Sequence, residues 1–435
     1  MVDANDRQEL DMTGRKILGG AAAVMAAALL FTGLPAAAAP EGAAMRPSVA
    51  RPTGPHAVGK TDLRLLDPDR ADPWVGSEKR QLMTTVWYPA GGGGEPAPYT
   101  GPELANHLDR TVTPELGLDQ GRVDWANIET HAAAAPPVTG RAGGYPVVLY
   151  SPGAFESRVY GSGAAADLAS HGYVVVTVDH TYETEVEFPD GLRPRVADAG
   201  DPDQAALLRK VFDVRVRDTH FVLDELTELG AGRKPDADGR ALPPGLGAAL
   251  DLDSVGMVGH SAGGDTAAQA MSEDRRIDSA VDMDGFLAYD SMGEQPMPVA
   301  EHGLDRPFLL MGSESSVSEL PPPGQQPDWI LRTHHSNPAW ASLWNRSTAG
   351  KLDLAIPRAR HHVFTDHLAI LLQLEEIGVP GETVAGLIGS TADPGRVSGS
   401  VRAYVEAFFE QHLRHRPQPL LDGPSPHHPD IRFVR

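Results

Sequence analysis

The stretch MVGHSAGGDTAAQAM, residues 257 to 271, decides how the chain is read. It passes from the apolar run SVGMVGH (254–260) through Gly-His-Ser-Ala-Gly-Gly into an alanine-rich segment of helical composition. Glycines at this density punctuate secondary structure, and here they bracket one serine, Ser261. The pattern predicts a strand, a sharp turn and a helix, with the serine hydroxyl projecting at the turn. Gly259 and Gly263 remove side chains that would collide where the helix packs back on the strand. The helix beginning at Ala262 aims its first amides and its positive dipole end at Ser261, where negative charge would be stabilised. A glycine-bounded strand end with an incidental serine is the competing reading, and it leaves the following helix pattern unused.

On both sides of this stretch, apolar runs alternate with helical ones. YPVVLYS (145–151), YVVVTVDH (173–180), DSAVDMD (278–284), RPFLLMG (306–312) and KLDLAIP (351–357) read as strands. RVYGSGAAADLASHG, residues 203–229 and VRAYVEAFFEQHL read as helices between or after them. Such alternation predicts an α/β fold, with a mostly parallel central sheet covered by helices on both faces. Earlier strands are expected at 61–66 and 81–88, and Gly91 to Gly94 marks a flexible break. Residues 95–140 carry short helical runs without a clear strand and fit a lid-like insertion. Residues 314–340, with Trp329 and Trp340 among prolines, fit a second one. One domain then spans 61–416, preceded by a flexible leader (40–60) and followed by an irregular tail (417–435).

The chain has 435 residues, 41% of them hydrophobic, enough to bury a large core. A net charge of −22 repels phosphate backbones and excludes nucleic acid as a partner. It gives no electrostatic pull toward anionic lipid either, although transient apolar contact with a lipid interface stays open. Arg15 and Lys16 precede an apolar run from Ile17 to Leu34, then Pro35 and small residues Ala36 to Ala39. This predicts a cleavable signal over 1–39, cut near Ala38 or Ala39, and a secreted product exported by the general or a weakened twin-arginine route. The alternative for this run is a retained membrane anchor. Cysteine is absent, so there is no disulfide and no thiol nucleophile.

Strand, Gly-x-Ser-x-Gly and helix together form the nucleophile elbow of the α/β-hydrolase fold. A serine needs a base, and this architecture supplies an acid and then a histidine later in the chain. Asp284, nearest the carboxyl end of its strand, is the candidate acid, with Asp282 as the fallback. In RARHHVFTDH (358–367) either His361 or His362 can serve as base. The oxyanion donors would be the Ala262 amide and one from SPGAFES (151–157), Ala154 with Phe155 close behind. Phe155, His180 and Trp329 are candidate pocket residues, and His260 is read as structural or pocket-lining. A metal site using His361, His362, Asp366 and His367 lacks a recognised ligand spacing, and the serine route needs no metal. GSGAAA (161–166) has the wrong glycine spacing for a dinucleotide, so no cofactor is expected.

WYPA (87–90), the run 150–180, GHSAGG (259–264), DMDGF (282–286) and HHVFTD (361–366) resemble the platelet-activating-factor acetylhydrolase family. The likeness is to its plasma and intracellular type II group and their bacterial relatives, over about residues 61 to 415. It implies Ser261 as nucleophile, Asp284 as acid and the Ala154 and Ala262 amides as oxyanion donors. It selects His361, three residues before Phe364. It also implies calcium-independent hydrolysis of short or oxidised acyl esters, phospholipids among them. Ser151-Pro152-Gly153 departs from the Ser-His-Gly usual there. Three other functions remain in view: a lipase or polyester hydrolase, a prolyl-oligopeptidase-type peptidase, and a hydrolase-like binding protein. The peptidases carry a propeller domain, and no blade-length repeat occurs here. Hydrolase-like binders commonly lose the serine or histidine, and both are present.

Overall fold

The computed structural model describes residues 43–198, 203–316, 329–391 and 393–435; the signal expected over 1–39 lies outside them. The strands are β1 (Ala57–Ala71), β2 (Lys79–Ala90), β3 (Ala132–Ala134), β4 (Tyr145–Ser151), β5 (Val174–Asp179), β6 (Val186–Phe188) and β7 (Gly191–Arg193). They continue with β8 (Leu250–His260), β9 (Ile277–Met283), β10 (Phe308–Gly312), β11 (Glu314–Ser316), β12 (Trp329–Leu331), β13 (Lys351–Ala355) and β14 (Arg432–Phe433). The helices are α1 (Pro102–Glu115), α2 (Ser162–Ser170), α3 (Gln204–Gly230), α4 (Ala262–Glu273) and α5 (Pro298–His302). After them come α6 (Pro338–Arg346), α7 (His367–Glu375), α8 (Gly381–Ile388) and α9 (Pro394–His412).

One large sheet runs in the order β14-β13-β10-β9-β8-β4-β5-β2-β1-β3. Its centre, from β5 to β13, is parallel throughout, while β2 joins β5 and β1 joins β2 antiparallel. The period-2 alternation of a strand explains the two cores. On β4, Val148 and Tyr150 enter the core shared with α2, α7 and α9, while Val147 and Leu149 enter the one shared with α3, α4 and α6. β4 and β5 are buried along their whole length, which is why they read as continuous apolar runs. This is the α/β-hydrolase arrangement expected from the sequence.

Four expectations need correction. The leader is not loose from residue 43 onward: Met45 and Ser48 bridge to Val123 and Glu129, His56 N–H donates to the Ser170 carbonyl at 3.0 Å, and Val49 is buried. Its Pro/Gly composition favours extended backbone, and here extended backbone finds partners. β1 accordingly starts at Ala57 and reaches Ala71. Residues 95–140 contribute β3, whose Ala-Ala-Ala has no strand signature and is held by parallel pairing to β1. The tail ends in β14, paired antiparallel to β13. No helix among the described residues is long and apolar enough to cross a membrane.

Candidate active site

β8 ends at His260 and α4 begins at Ala262, so Ser261 alone makes the turn. Its φ of 55° is a left-handed value that non-glycine residues rarely hold. The Ser261 amide donates to the Met283 carbonyl at 2.8 Å, fixing the bend against β9. The two motif glycines are required by contact. A Cβ on Gly259 would lie 2.1 Å from the Gly263 carbonyl carbon, and one on Gly263 would lie 1.9 Å from the Ser151 carbonyl oxygen.

Asp284 follows β9 directly and is fully buried, with φ 66°. Its Oδ2 receives His361 Nδ1 at 2.7 Å and the Ser313 hydroxyl at 2.7 Å; Oδ1 receives the Ser313 amide at 2.8 Å. Arg332 Nη1 lies 3.5 Å from the same Oδ1. Burial alone would raise this carboxyl, but Arg332 and the His361 bond outweigh it and hold the group well below its ordinary range. For His361, burial and the neighbouring His260 ring (4.5 Å between centroids) push the imidazole down to about 4, against the upward pull of Asp284. His361 is therefore neutral around pH 7 and able to accept a proton, with Nδ1–H committed to Asp284. His260 in turn reaches the His361 carbonyl oxygen through Nε2 at 2.9 Å and Glu156 Oε2 through Nδ1 at 3.2 Å.

Ser261 and His361 line one pocket together with Ala154, Phe155, Glu156 and Ala262. Its apolar wall comes from Leu208 and Phe212 on α3 and from Phe286 and Ala288 after β9. In the turn after β4, the Gly153, Phe155 and Glu156 amides donate to Glu156 Oε2, Glu183 Oε1 and the Gly153 carbonyl. The Ala154 amide has no acceptor among the described residues, and Ala154 lines the same pocket as Ala262, the first residue of α4. A buried arginine braces this turn: Arg215 donates to the carbonyls of Pro152 (2.6 Å) and Gly153 (2.8 Å) and through Nε to Glu183 Oε2 (2.9 Å).

Several sequence expectations find other places. Asp282 does not meet His361; its Oδ1 accepts the Gly285 amide at 2.7 Å beneath the elbow. His180 does not line the pocket but sits buried under the turn, bonded to Ser151 Oγ (3.1 Å) and Asp218 (2.9 Å). Trp329 lies on β12, 40% exposed, with the Arg360 guanidinium over its ring, and is no part of the pocket. Neither residues 95–140 nor the described part of 314–340 reaches the pocket; 95–140 instead pack Tyr99, Trp125 and Ile128 into the core. Asp366 turns to the start of α2 and accepts the Gly163 amide at 3.0 Å, so the four-residue metal set considered above is not assembled. Arg215, Glu183, Arg332 and Ser313 carry no sequence signal, since each acts through a partner far along the chain.

Asp282 yields a pH prediction. It shares the space under α4 with Asp265, whose Oδ1 accepts the Leu287 amide at 2.6 Å. Burial raises both carboxyls above the ordinary range, and for Asp282 the neighbouring Asp265 charge adds to it. A folded-state pKa above the unfolded value stabilises the fold below the unfolded value, about 4, and that stability is lost as pH rises toward the raised folded value. Asp282→Asn keeps the acceptor for Gly285 and can donate to Asp265. The drop in thermal midpoint between about pH 5 and about pH 8 is expected to be smaller in this variant than in the parent, each proton contributing about 1.4 kcal/mol per pH unit.

The model for platelet-activating factor acetylhydrolase, isoform II, matches residues 120–187. A probable 1-alkyl-2-acetylglycerophosphocholine esterase of Arthroderma benhamiae is 27% identical over 303 residues, covering 67% of this chain and 66% of the relative. The platelet-activating factor acetylhydrolase of Bos taurus is 27% identical over 158 residues, 33% of this chain and 35% of the relative. Both alignments thus span less than two thirds of the curated relative. Among solved structures, a ferulic acid esterase from Streptomyces cinnamoneus superposes with a TM-score of 0.69 at 36% identity, over 90% of this chain and 100% of that one. By its fold and these matches, the chain is similar to the platelet-activating factor acetylhydrolase isoform II family and to esterases of the α/β-hydrolase fold.

Proposed function

We propose that the chain is a serine esterase that hydrolyses short-acyl carboxylic esters. The observation that carries this is the assembly around one pocket: Ser261 at a strained bend, His361 neutral and held by Asp284, and the Ala154 and Ala262 amides beside them. His361 takes the Ser261 proton as the hydroxyl attacks the ester carbonyl, and the two amides receive the oxyanion. Asp284 fixes the tautomer and stabilises the imidazolium that forms. The alcohol leaves with that proton, and water repeats the cycle on the acyl-enzyme.

Short acyl groups fit an apolar wall made of few side chains, Leu208, Phe212, Phe286 and Ala288. Sn-2 acyl groups of PAF-like phospholipids are the first candidate, on the names of the fungal and bovine relatives. An aromatic hydroxycinnamoyl ester is the second, favoured by the 36% identity to the ferulic acid esterase over nearly the whole chain. Hydrolysis of p-nitrophenyl acetate, butyrate and octanoate, methyl ferulate and a short-acyl phosphatidylcholine separates the two. A highest kcat/KM on methyl ferulate would replace the first reading by the second, and no turnover of any ester would remove both. Residues 1–39 serve as a cleavable export signal in this reading, supported by Arg15-Lys16, the apolar run from Ile17 to Leu34 and the small residues Ala36 to Ala39.

A further inference from the structure

Next to the pocket, three side chains from two distant segments face one another. Glu156 lies in the turn after β4, His362 beside His361, and His367 at the start of α7. One carboxylate oxygen and one ring nitrogen from each histidine lie within 4.8 Å of one another. Each residue is anchored through its other atoms. Glu156 Oε2 accepts from the Gly153 amide and His260 Nδ1, both at 3.2 Å, so Oε1 is the oxygen turned to the histidines. The Thr365 hydroxyl gives its single proton to the His362 carbonyl (3.0 Å) and must therefore accept from His367 Nδ1–H (2.8 Å). That fixes the tautomer and leaves His367 Nε2 as a bare lone pair. Tyr160 stacks on the same ring, 4.2 Å between centroids, and holds its plane. His362 Nδ1 is buried without a hydrogen-bond partner, 3.3 Å from Glu156 Oε1.

We propose that Glu156, His362 and His367 bind a divalent first-row transition ion of the zinc class. Two imidazoles and one carboxylate suit such an ion, whereas magnesium and calcium take oxygen donors. A hydroxyl orienting one ligand imidazole is the supporting contact such sites use. Glu156 and His362 also line the Ser261 pocket, so the ion enters from it. It takes no part in acyl transfer. Its effect is to tie the turn carrying Ala154 to the segment carrying His361, which the sequence separates by some two hundred residues. The site does not depend on the esterase reading.

The test is calorimetric titration of chelator-treated, untagged protein with zinc sulfate, beside cobalt(II) binding followed by visible absorption. One ion per chain, tetrahedral-type cobalt bands and a raised thermal midpoint are expected. His362→Gln and His367→Gln should each weaken zinc about 100-fold or more, beyond the roughly 10–100-fold that supporting contacts cost. His427→Gln, at an exposed histidine outside the site, should leave affinity unchanged. Circular dichroism establishes that the variants fold. Should one not fold, the cobalt spectrum of the parent against Glu156→Gln decides, with loss of the bands expected. Absence of saturable binding by the parent, or equal affinity in parent and both histidine variants, overturns the proposal and leaves three groups sharing a water.

Discussion

Replacing Ser261 by alanine is expected to lower kcat for p-nitrophenyl ester hydrolysis by about a millionfold, with the thermal midpoint nearly unchanged. In the proposed mechanism this substitution removes the nucleophile and with it the acyl-enzyme route, leaving only binding and the amide pair. The substitution disturbs little structure, because the bend is set by the backbone bond from the Ser261 amide to Met283 and by the glycines on either side. A fluorophosphonate probe should label the parent once per chain and this variant not at all. Retention of the parent rate in a folded Ser261→Ala protein would end the esterase mechanism.

The second large effect separates two aspartates two residues apart. Asp284→Asn is expected to cost about ten-thousandfold in kcat, while Asp282→Asn changes it only a few-fold. An amide at 284 can donate to His361 Nδ1 and so present the wrong tautomer to the serine. It also leaves the buried Arg332 without its carboxylate, so a lower thermal midpoint accompanies the loss. KM should move little. Comparable losses from the two variants would mean that the acid has been misassigned.

The glycine-bracketed serine was legible because it is local: strand, bend and helix are contiguous, and each glycine answers a contact within a few ångströms. The parallel sheet was legible for the same reason, since buried strands such as β4 and β5 leave unbroken apolar runs. Asp284 could be ranked above Asp282 by its place at the strand end. His361 and His362 are neighbours, however, and only family resemblance chose between them; which of them meets Asp284 depends on the path of β9. Arg215 lies within a helical pattern, and nothing near it in sequence announces that it grips the carbonyls at 152 and 153. Trp329 failed as a pocket residue for a comparable reason: an aromatic among prolines says nothing about which way its hairpin folds. The edge strands β3 and β14 are too short to carry a periodicity, and pairing alone makes them strands.

The bracing of the turn after β4 bears on redesign. The Ala154 amide is oriented from behind by Arg215 and Glu183, whereas the acyl wall is built by Leu208 and Phe212, one to two helical turns earlier on α3, and by the segment at 286–288. In the proposed mechanism, rate and selectivity thus rest on separate supports. Enlarging or reshaping the cavity at 208 and 212 leaves the charge-stabilising amides where they are, so directed evolution toward bulkier esters has room to proceed without first dismantling the catalyst.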